Sequence, residues 1–126
     1  MSILKAFCQH FIEFLDDIII VFPNDIDLKT SRKIIFNLKK VNPKALIVNW
    51  KYYITDVYKE QIYKNNIDFF INKNYKKDLI DNRESEYILQ VIERLRNPIQ
   101  NLSQENKQKT IKYIINLTKL SELYSS

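Results

Sequence analysis

Few side chains in this sequence are of types that catalyse reactions or bind metals. Cys8 and His10 are the only cysteine and the only histidine in the 126-residue chain. They lie two positions apart in a helical pattern, where side chains point in different directions, so they are not expected to act as a nucleophile and its base. One residue of each type also excludes a closed zinc site and a disulfide framework. We expect Cys8 to be a small half-buried residue and His10 to lie on the solvent face.

The acidic residues offer a second chemistry, the binding of a divalent cation. Asp16, Asp17, Asp25 and Asp27 are close in the sequence, but the chain has no glycine. An EF-hand loop needs a glycine and a more distant glutamate, and phosphate-cradling loops need several glycines. Glu93 falls on the polar side of a helical stripe, where solvation is its ordinary role. The sequence therefore predicts no catalytic, metal or cofactor-binding residues, and a protein that is not an enzyme.

The first 41 residues contain two amphipathic helical patterns. The first pattern spaces its apolar residues by three and four positions, and they are Ile3, Leu4, Phe7, Phe11, Phe14, Leu15, Ile18, Ile19 and Phe22. After a break at Pro23, either Asp25 or Asp27 can cap a second helix. Its predicted buried stripe consists of Leu28, Ile34, Ile35, Leu38 and Val41.

The middle of the chain is harder to assign. Asn42 followed by Pro43 is typical of a helix start. Residues 45–55 favour a strand by propensity, but the preceding cap and the lack of hairpin turn residues favour a helix, which we prefer. Asp56 is a second candidate cap for a short helix, and the asparagines 65–66 can end that helix because asparagine tolerates the left-handed conformation.

The last third predicts a pair of helices after a short apolar segment, 67–71, and a polar loop, 72–83. One stripe consists of Ile88, Val91, Ile92, Leu95 and Ile99. Ser103 is expected to cap a final helix buried through Ile111, Ile114, Leu117, Leu120 and Tyr124. The short link 98–102 favours an antiparallel pair. We therefore predict an all-α fold: a compact bundle of five to six helices, with residues 1–126 as a single domain, ending in an antiparallel helical hairpin.

Charge is unevenly distributed along the chain, whose net charge is +5. Residues 1–28 carry one basic and five acidic side chains. Residues 29–77 carry 12 basic and three acidic side chains, and residues 78–126 carry seven of each. The corresponding net charges are −4, +9 and 0. Isoleucine, lysine and asparagine are abundant, as expected for an AT-rich genome, which weakens lysine content as evidence for a nucleic-acid partner. The −4 and +9 segments can also pair between copies, so self-association is expected.

The basic middle segment supports an alternative function as a nucleic-acid-binding module. Its lysines interleave with aromatic residues, and such a surface can contact phosphates while rings stack on bases. The ordinary interpretation is that these aromatic residues form the core and the lysines a solvated face. The candidate nucleic-acid-binding residues are Lys29, Arg32, Lys33, Lys39, Lys40, Lys51, Lys59, Lys64, Lys76 and Lys77, with Trp50 or Tyr75 for stacking.

Three blocks of the sequence resemble a family of small uncharacterised helical proteins of nucleocytoplasmic large DNA viruses, the giant viruses. The first is FIEFLDDI at 11–18 with FPNDIDL at 22–28, the second is 50–71, and the third is LSQENK at 102–107 with IKY at 111–113. The sequence departs from the family at Val57, where a proline is common, and at Ile111, where a tryptophan is usual.

This resemblance implies a viral accessory or structural protein without known enzymatic activity. We expect it to act by binding viral or host proteins, with a homo-oligomer as a further expectation, in the host cytoplasm, viral factory or virion. No secretory signal is visible, so secretion is not expected. The longest apolar run, Ile18 to Phe22, is too short to span a membrane.

Overall fold

The protein is all-α in the part of the chain that its computed structural model describes, residues 2–66 and 83–124, with side chains in the second part from residue 88 onward. The helices are α1 (Ile3–Val21), α2 (Ile26–Val41), α3 (Pro43–Trp50), a π-helical segment (Lys51–Thr55), α4 (Asp56–Tyr63), α5 (Arg83–Gln100) and α6 (Gln104–Leu123). The predicted fold class is confirmed. The apolar segment 67–71 and most of the loop predicted at 72–83 lie outside the described residues.

Three helices begin at capped N-termini, and two of these caps were predicted. The Asp25 carboxylate accepts from the Leu28 amide at 3.1 Å, and the Ser103 hydroxyl accepts from the Asn106 amide at 3.2 Å. Ser2 caps α1 in the same way. These bonds satisfy amides that have no partner within the helix, so they fix where each helix starts.

Residues 43–63 form one unbroken helix in which a π-helical segment joins α3 to α4. Pro43 occupies the first turn as predicted, although the Asn42 side chain makes no capping hydrogen bond. The predicted cap at Asp56 is wrong, because its backbone is helical (φ −65°, ψ −24°) and the helix continues through it. The helix preferred for residues 45–55 is confirmed.

Asn65 ends this long helix, as predicted. Its φ of 63° is the left-handed conformation that glycine usually supplies. The Asn65 amide donates to the Ile62 carbonyl at 3.0 Å, and the Asn66 amide donates to the Gln61 carbonyl at 2.8 Å. This pair of bonds is a Schellman motif, which satisfies the last carbonyls of the helix.

The bundle is arranged around α1, which packs against α2, α3 and α6. Helix α5 lies mainly against α2 and α3, whereas α6 lies against α1 and the long helix. Residues 101–103 join α5 to α6 by a short link, as expected. The two helices nevertheless make their main contacts with other helices of the bundle and not with each other. Pro98 is within α5, two residues before the end of the helix.

Aromatic side chains fill the centre of the core. Trp50 is fully buried and makes edge-to-face contacts with Phe7 and Phe11, at centroid distances of 6.1 and 5.6 Å. The Trp50 indole N–H donates to the Thr118 hydroxyl at 3.3 Å. Thr55 and Ser121 share a second buried hydrogen bond of 2.6 Å. The inner face of α6 is therefore partly polar, and these hydroxyl groups form hydrogen bonds between α6 and the long helix, residues 43–63.

The predicted apolar stripes are confirmed for α1 and α5 but need correction at the end of α2 and along α6, where Ile111, Leu120 and Tyr124 are only partly buried. Ile88, Val91, Ile92, Leu95 and Ile99 are all buried. Val41, predicted to be buried, is 84% exposed. It is the last residue of α2, where the chain turns into α3 and leaves no neighbouring helix over it.

Candidate functional site

The predicted stacking residue Trp50 is not on the surface. Its side chain has no solvent exposure and is enclosed by Phe7, Phe11 and the hydroxyl of Thr118. A base cannot reach a ring in this position, so assigning Trp50 to nucleic-acid stacking is wrong. Its size and its burial against other rings make it a core residue. The other stacking candidate, Tyr75, lies outside the described residues.

Helix α2 carries a row of basic side chains on its outer face. Lys29, Lys33 and Lys40 are exposed and spaced by four and seven positions, which places them on the same side of the helix. The Lys40 ammonium lies 4.5 Å from the ring centroid of Phe36, a cation–π contact. Arg32 instead forms an ion pair with Asp16 of α1, so its charge is partly neutralised.

Most of the remaining candidate lysines lie on other elements. Lys39 is also in α2, near its C-terminal end, whereas Lys51 is half-buried in the π-helical segment. Lys59 of α4 lies 3.8 Å from Glu122 of α6, and Lys64 follows α4. Because α4 packs on α6 while α2 packs on α1, α3 and α5, the structure divides the candidates between separate surfaces. Lys76 and Lys77 lie outside the described residues.

Cys8 and His10 do not form a catalytic pair. Cys8 is buried, its Sγ lies 3.8 Å from the Pro43 carbonyl oxygen, and burial raises the pKa of its thiol. The His10 ring packs 4.7 Å from the Tyr113 ring, with Nδ1 3.7 Å from a Glu13 carboxylate oxygen. Burial lowers the pKa of His10 despite the nearby Glu13. The expectation of a solvent-facing His10 is therefore wrong, since its side chain is only 22% exposed.

Within residues 2–66 and 88–124, the His, Cys, Asp and Glu side chains form no group of three or more that could hold a metal ion. None of the helices in the described part is both long and apolar enough to cross a membrane.

A cavity of about 240 Å³ lies between the end of α1 and the start of α6. Phe14, Ile18 and Leu102 contribute buried apolar surface to its lining. Asp17 and Lys109 place one acidic and one basic side chain at the same cavity. An apolar interior with a few polar groups is typical of a surface that binds an apolar side chain and fixes its orientation.

Tyr113 of α6 contacts two residues of α1 across this cavity. Its ring stacks on Phe14 with centroids 5.4 Å apart, and its hydroxyl donates to the Asp17 carboxylate. Burial raises the pKa of Tyr113 to about 12, and the hydrogen bond to Asp17 contributes to the shift. The α1 and α6 walls are thus joined by a neutral phenol and a carboxylate.

Two exposed apolar side chains line the cavity at the end of α1, and a third follows at the start of α2. Ile20 and Val21 line the cavity and are 75% and 39% exposed, and Ile26, in the first turn of α2, is 77% exposed. The exposed acids Asp17 and Asp27 flank them. We call these five residues the acidic corner. Apolar side chains that are exposed beside a cavity are typical of interaction surfaces.

The sequence analysis missed the acidic corner, although one signal for it was present. The helical stripe of α1 uses Ile18, Ile19 and Phe22 but leaves Ile20 outside it. An isoleucine on the polar side of an amphipathic helix indicates an apolar side chain that is exposed on the protein surface. The cavity itself depends on how α6 meets α1, which periodicity does not describe.

No protein-family model, curated protein or solved structure matches this chain.

Proposed function

We propose that the chain is a non-enzymatic module that binds another protein through the acidic corner. The observation that carries the proposal is the exposure of Ile20 and Val21, at 75% and 39%, in the lining of a cavity of about 240 Å³, with Ile26 77% exposed at the start of the next helix. Each exposed isoleucine keeps apolar surface in water, and covering it with a partner removes that cost. A cluster of such residues next to a cavity supports a binding role.

The size of the cavity favours a single side chain as its occupant. Pockets for drug-sized ligands usually measure roughly 300–1,000 Å³, and this cavity is smaller. An aliphatic or aromatic anchor residue that enters an apolar pocket is the usual centre of a protein interface. Asp17 at the cavity and Asp27 at the start of α2 outnumber Lys109, the basic residue of the lining, so the partner is expected to carry lysine or arginine beside its anchor.

A peptide-display selection with a pocket-blocking variant tests this proposal. Asn106→Trp places a large ring at a residue that lines the cavity, and Gln108→Trp places the same ring on the exposed face of α6 as a matched control. We expect peptides with an apolar anchor and neighbouring basic residues to bind the wild type and Gln108→Trp. Binding to Asn106→Trp should weaken at least about tenfold, as for a central hot spot. Peptides that bind all three proteins equally would contradict the proposal.

We propose further that this module is a viral accessory or structural protein. The resemblance of the blocks 11–28, 50–71 and 102–113 to the giant-virus family supports this origin, as does the AT-rich composition. Under this proposal the protein acts in the host cytoplasm, the viral factory or the particle, where it binds viral or host proteins.

Nucleic-acid binding is the second candidate function, and the outer face of α2 favours it. Lys29, Lys33 and Lys40 form an exposed row there. Three phosphate contacts predict that the logarithm of affinity falls with the logarithm of salt concentration with a slope of about −3. Fluorescence anisotropy with labelled DNA and RNA would measure this slope for the wild type and for Lys33→Gln. No binding at low salt would remove this candidate.

A further inference from the structure

Acidic and basic side chains are separated along the first 55 residues. No lysine or arginine occurs in residues 6–28, which contain the acidic corner, and no aspartate or glutamate occurs in residues 28–55. Seven basic residues fall in that second range. The separation follows the elements: α1 is acidic after Lys5, and α2, α3 and the π-helical segment are basic after Asp27, beginning with Lys29 in the first turn of α2.

The basic range has exposed apolar side chains of its own. Val41 is 84% exposed, and Val48 and Tyr52 follow along the long helix at 44% and 58%. Lys44 is exposed at the start of the same helix, and Lys51 is adjacent to Tyr52 and half-buried. Residues 44, 48 and 52 recur every four positions, so they share one face. We call these five residues the basic stripe.

We propose that the partner of the acidic corner is the basic stripe of a second copy of this chain. This inference rests on the proposed function and names the partner of the same site. Both surfaces combine exposed aliphatic side chains with charge, and the signs of the charges are opposite. Contact would bury apolar area on both sides and bring the carboxylates of one copy near the ammonium groups of the next.

A single copy cannot bring these two surfaces together. Ile26 and Val41 are the first and last residues of α2, and a helix rises about 1.5 Å per residue, which separates them by about 23 Å. The rigid helix holds the corner and the stripe apart, so the complementary charge has to come from another molecule.

The contact is heterologous, because one copy contributes its corner and the other its stripe. Each bound copy therefore leaves one free corner and one free stripe, and further copies can add. Such contacts give a closed ring if the rotation closes and an open filament if it does not. The attraction between the charges is screened by salt, so high salt is expected to shorten or dissociate the assemblies.

The contact is tested by blocking each surface with a like charge. Ile20→Lys puts a cation in the corner, which would face the basic stripe, and Tyr52→Glu puts an anion in the stripe, which would face the acidic corner. Leu123→Lys changes a 67% exposed apolar residue at the end of α6 as a matched control. Circular dichroism establishes that each variant is folded, and Asp27→Lys and Lys44→Glu serve as second variants of the corner and the stripe.

Sedimentation velocity is expected to show concentration-dependent assembly of the wild type and Leu123→Lys at low salt. Ile20→Lys alone and Tyr52→Glu alone should each associate at least about tenfold more weakly. Mixed in equal amounts, the two variants should associate with each other, because one retains an intact stripe and the other an intact corner.

Three outcomes would overturn the inference: a wild type that stays monomeric, association that neither variant weakens, or a mixture in which the two variants do not associate. The peptide selection separates these outcomes from failure of the proposed function. Peptides that require the cavity, found with a monomeric protein, would leave the acidic corner a protein-binding site with a different partner.

Discussion

At the scale of single residues, the aromatic side chains of the basic segment divide between core and surface. Trp50, Tyr53 and Tyr58 are buried, at 0%, 5% and 5% exposure, whereas Tyr52 is 58% exposed. Within the described residues 29–66, the alternation of lysines and rings in the sequence therefore does not place every ring on the surface. The helix turns most of these rings inward and leaves Tyr52 beside Val48.

The burial of Trp50 predicts a fluorescence result. Because Trp50 is the only tryptophan and is fully buried, its emission should resist quenching by acrylamide and should not respond to single-stranded DNA. A Trp50→Phe/Tyr52→Trp double variant moves the fluorophore to an exposed position and serves as the control. Wild-type quenching as strong as that of the control would contradict the burial.

Tyr113 predicts a dependence of stability on alkaline pH. Burial and the Asp17 hydrogen bond raise its pKa from 10.0 to about 12, so the folded protein favours the neutral phenol. The stabilisation is complete below about pH 10 and is lost as the pH rises toward about 12. Urea denaturation over this pH range should show a shallower loss of unfolding free energy for Tyr113→Phe. Tyr52→Phe, at an exposed position, should keep the wild-type slope, and equal slopes for Tyr113→Phe and wild type would contradict the account.

At the scale of elements, helix starts and ends were predictable where a local signal determines them. Asp25, Ser103 and Asn65 act through bonds within a few residues of themselves, so sequence alone is sufficient. Asp56 has the residue type of a cap but lies inside a helix, because the buried face formed by Ile54 and Tyr58 continues across it. Tertiary packing outweighed the local preference there.

The acidic corner could be predicted only in part. Periodicity shows that Ile20 lies off the buried stripe of α1. The cavity beside it requires Leu102 and Tyr113, which are more than 80 positions away in the sequence. The arrangement of the last two helices could also be predicted only in part. The short link between them indicated an antiparallel pair. The main contacts of α5, however, are with α2 and α3, and α6 packs against α1 and the helix 43–63.

The contact between the π-helical segment and α6 predicts non-additive stability effects. Thr55 and Ser121 are 1% and 0% exposed and share a 2.6 Å hydrogen bond. Ser121→Ala should cost about 1–3 kcal/mol, because it leaves the buried Thr55 hydroxyl without this partner. The double variant with Thr55→Val should cost less than the sum of the two single variants. Chemical denaturation of the four proteins measures this coupling, and additive costs would contradict it.

At the scale of the whole molecule, two exposed apolar surfaces with different charges lie at opposite ends of one helix. Helix α2 separates the acidic corner at Ile26 from the basic stripe at Val41, and its own outer face carries Lys29 and Lys33. A molecule with complementary ends is suited to head-to-tail assembly. The same distribution of charge would also orient a different partner protein, if that partner carries basic residues beside an apolar anchor.

Amide NMR spectra of the isotope-labelled wild type over a dilution series test whether a second copy binds at the acidic corner. We expect amides of the acidic corner, residues 17–27, and of the basic stripe, residues 41–52, to shift together with one midpoint. Amides on the exposed side of α6 should remain unchanged and provide the internal control. Spectra that do not change with concentration, or changes confined to other surfaces, would contradict binding of a second copy through this corner.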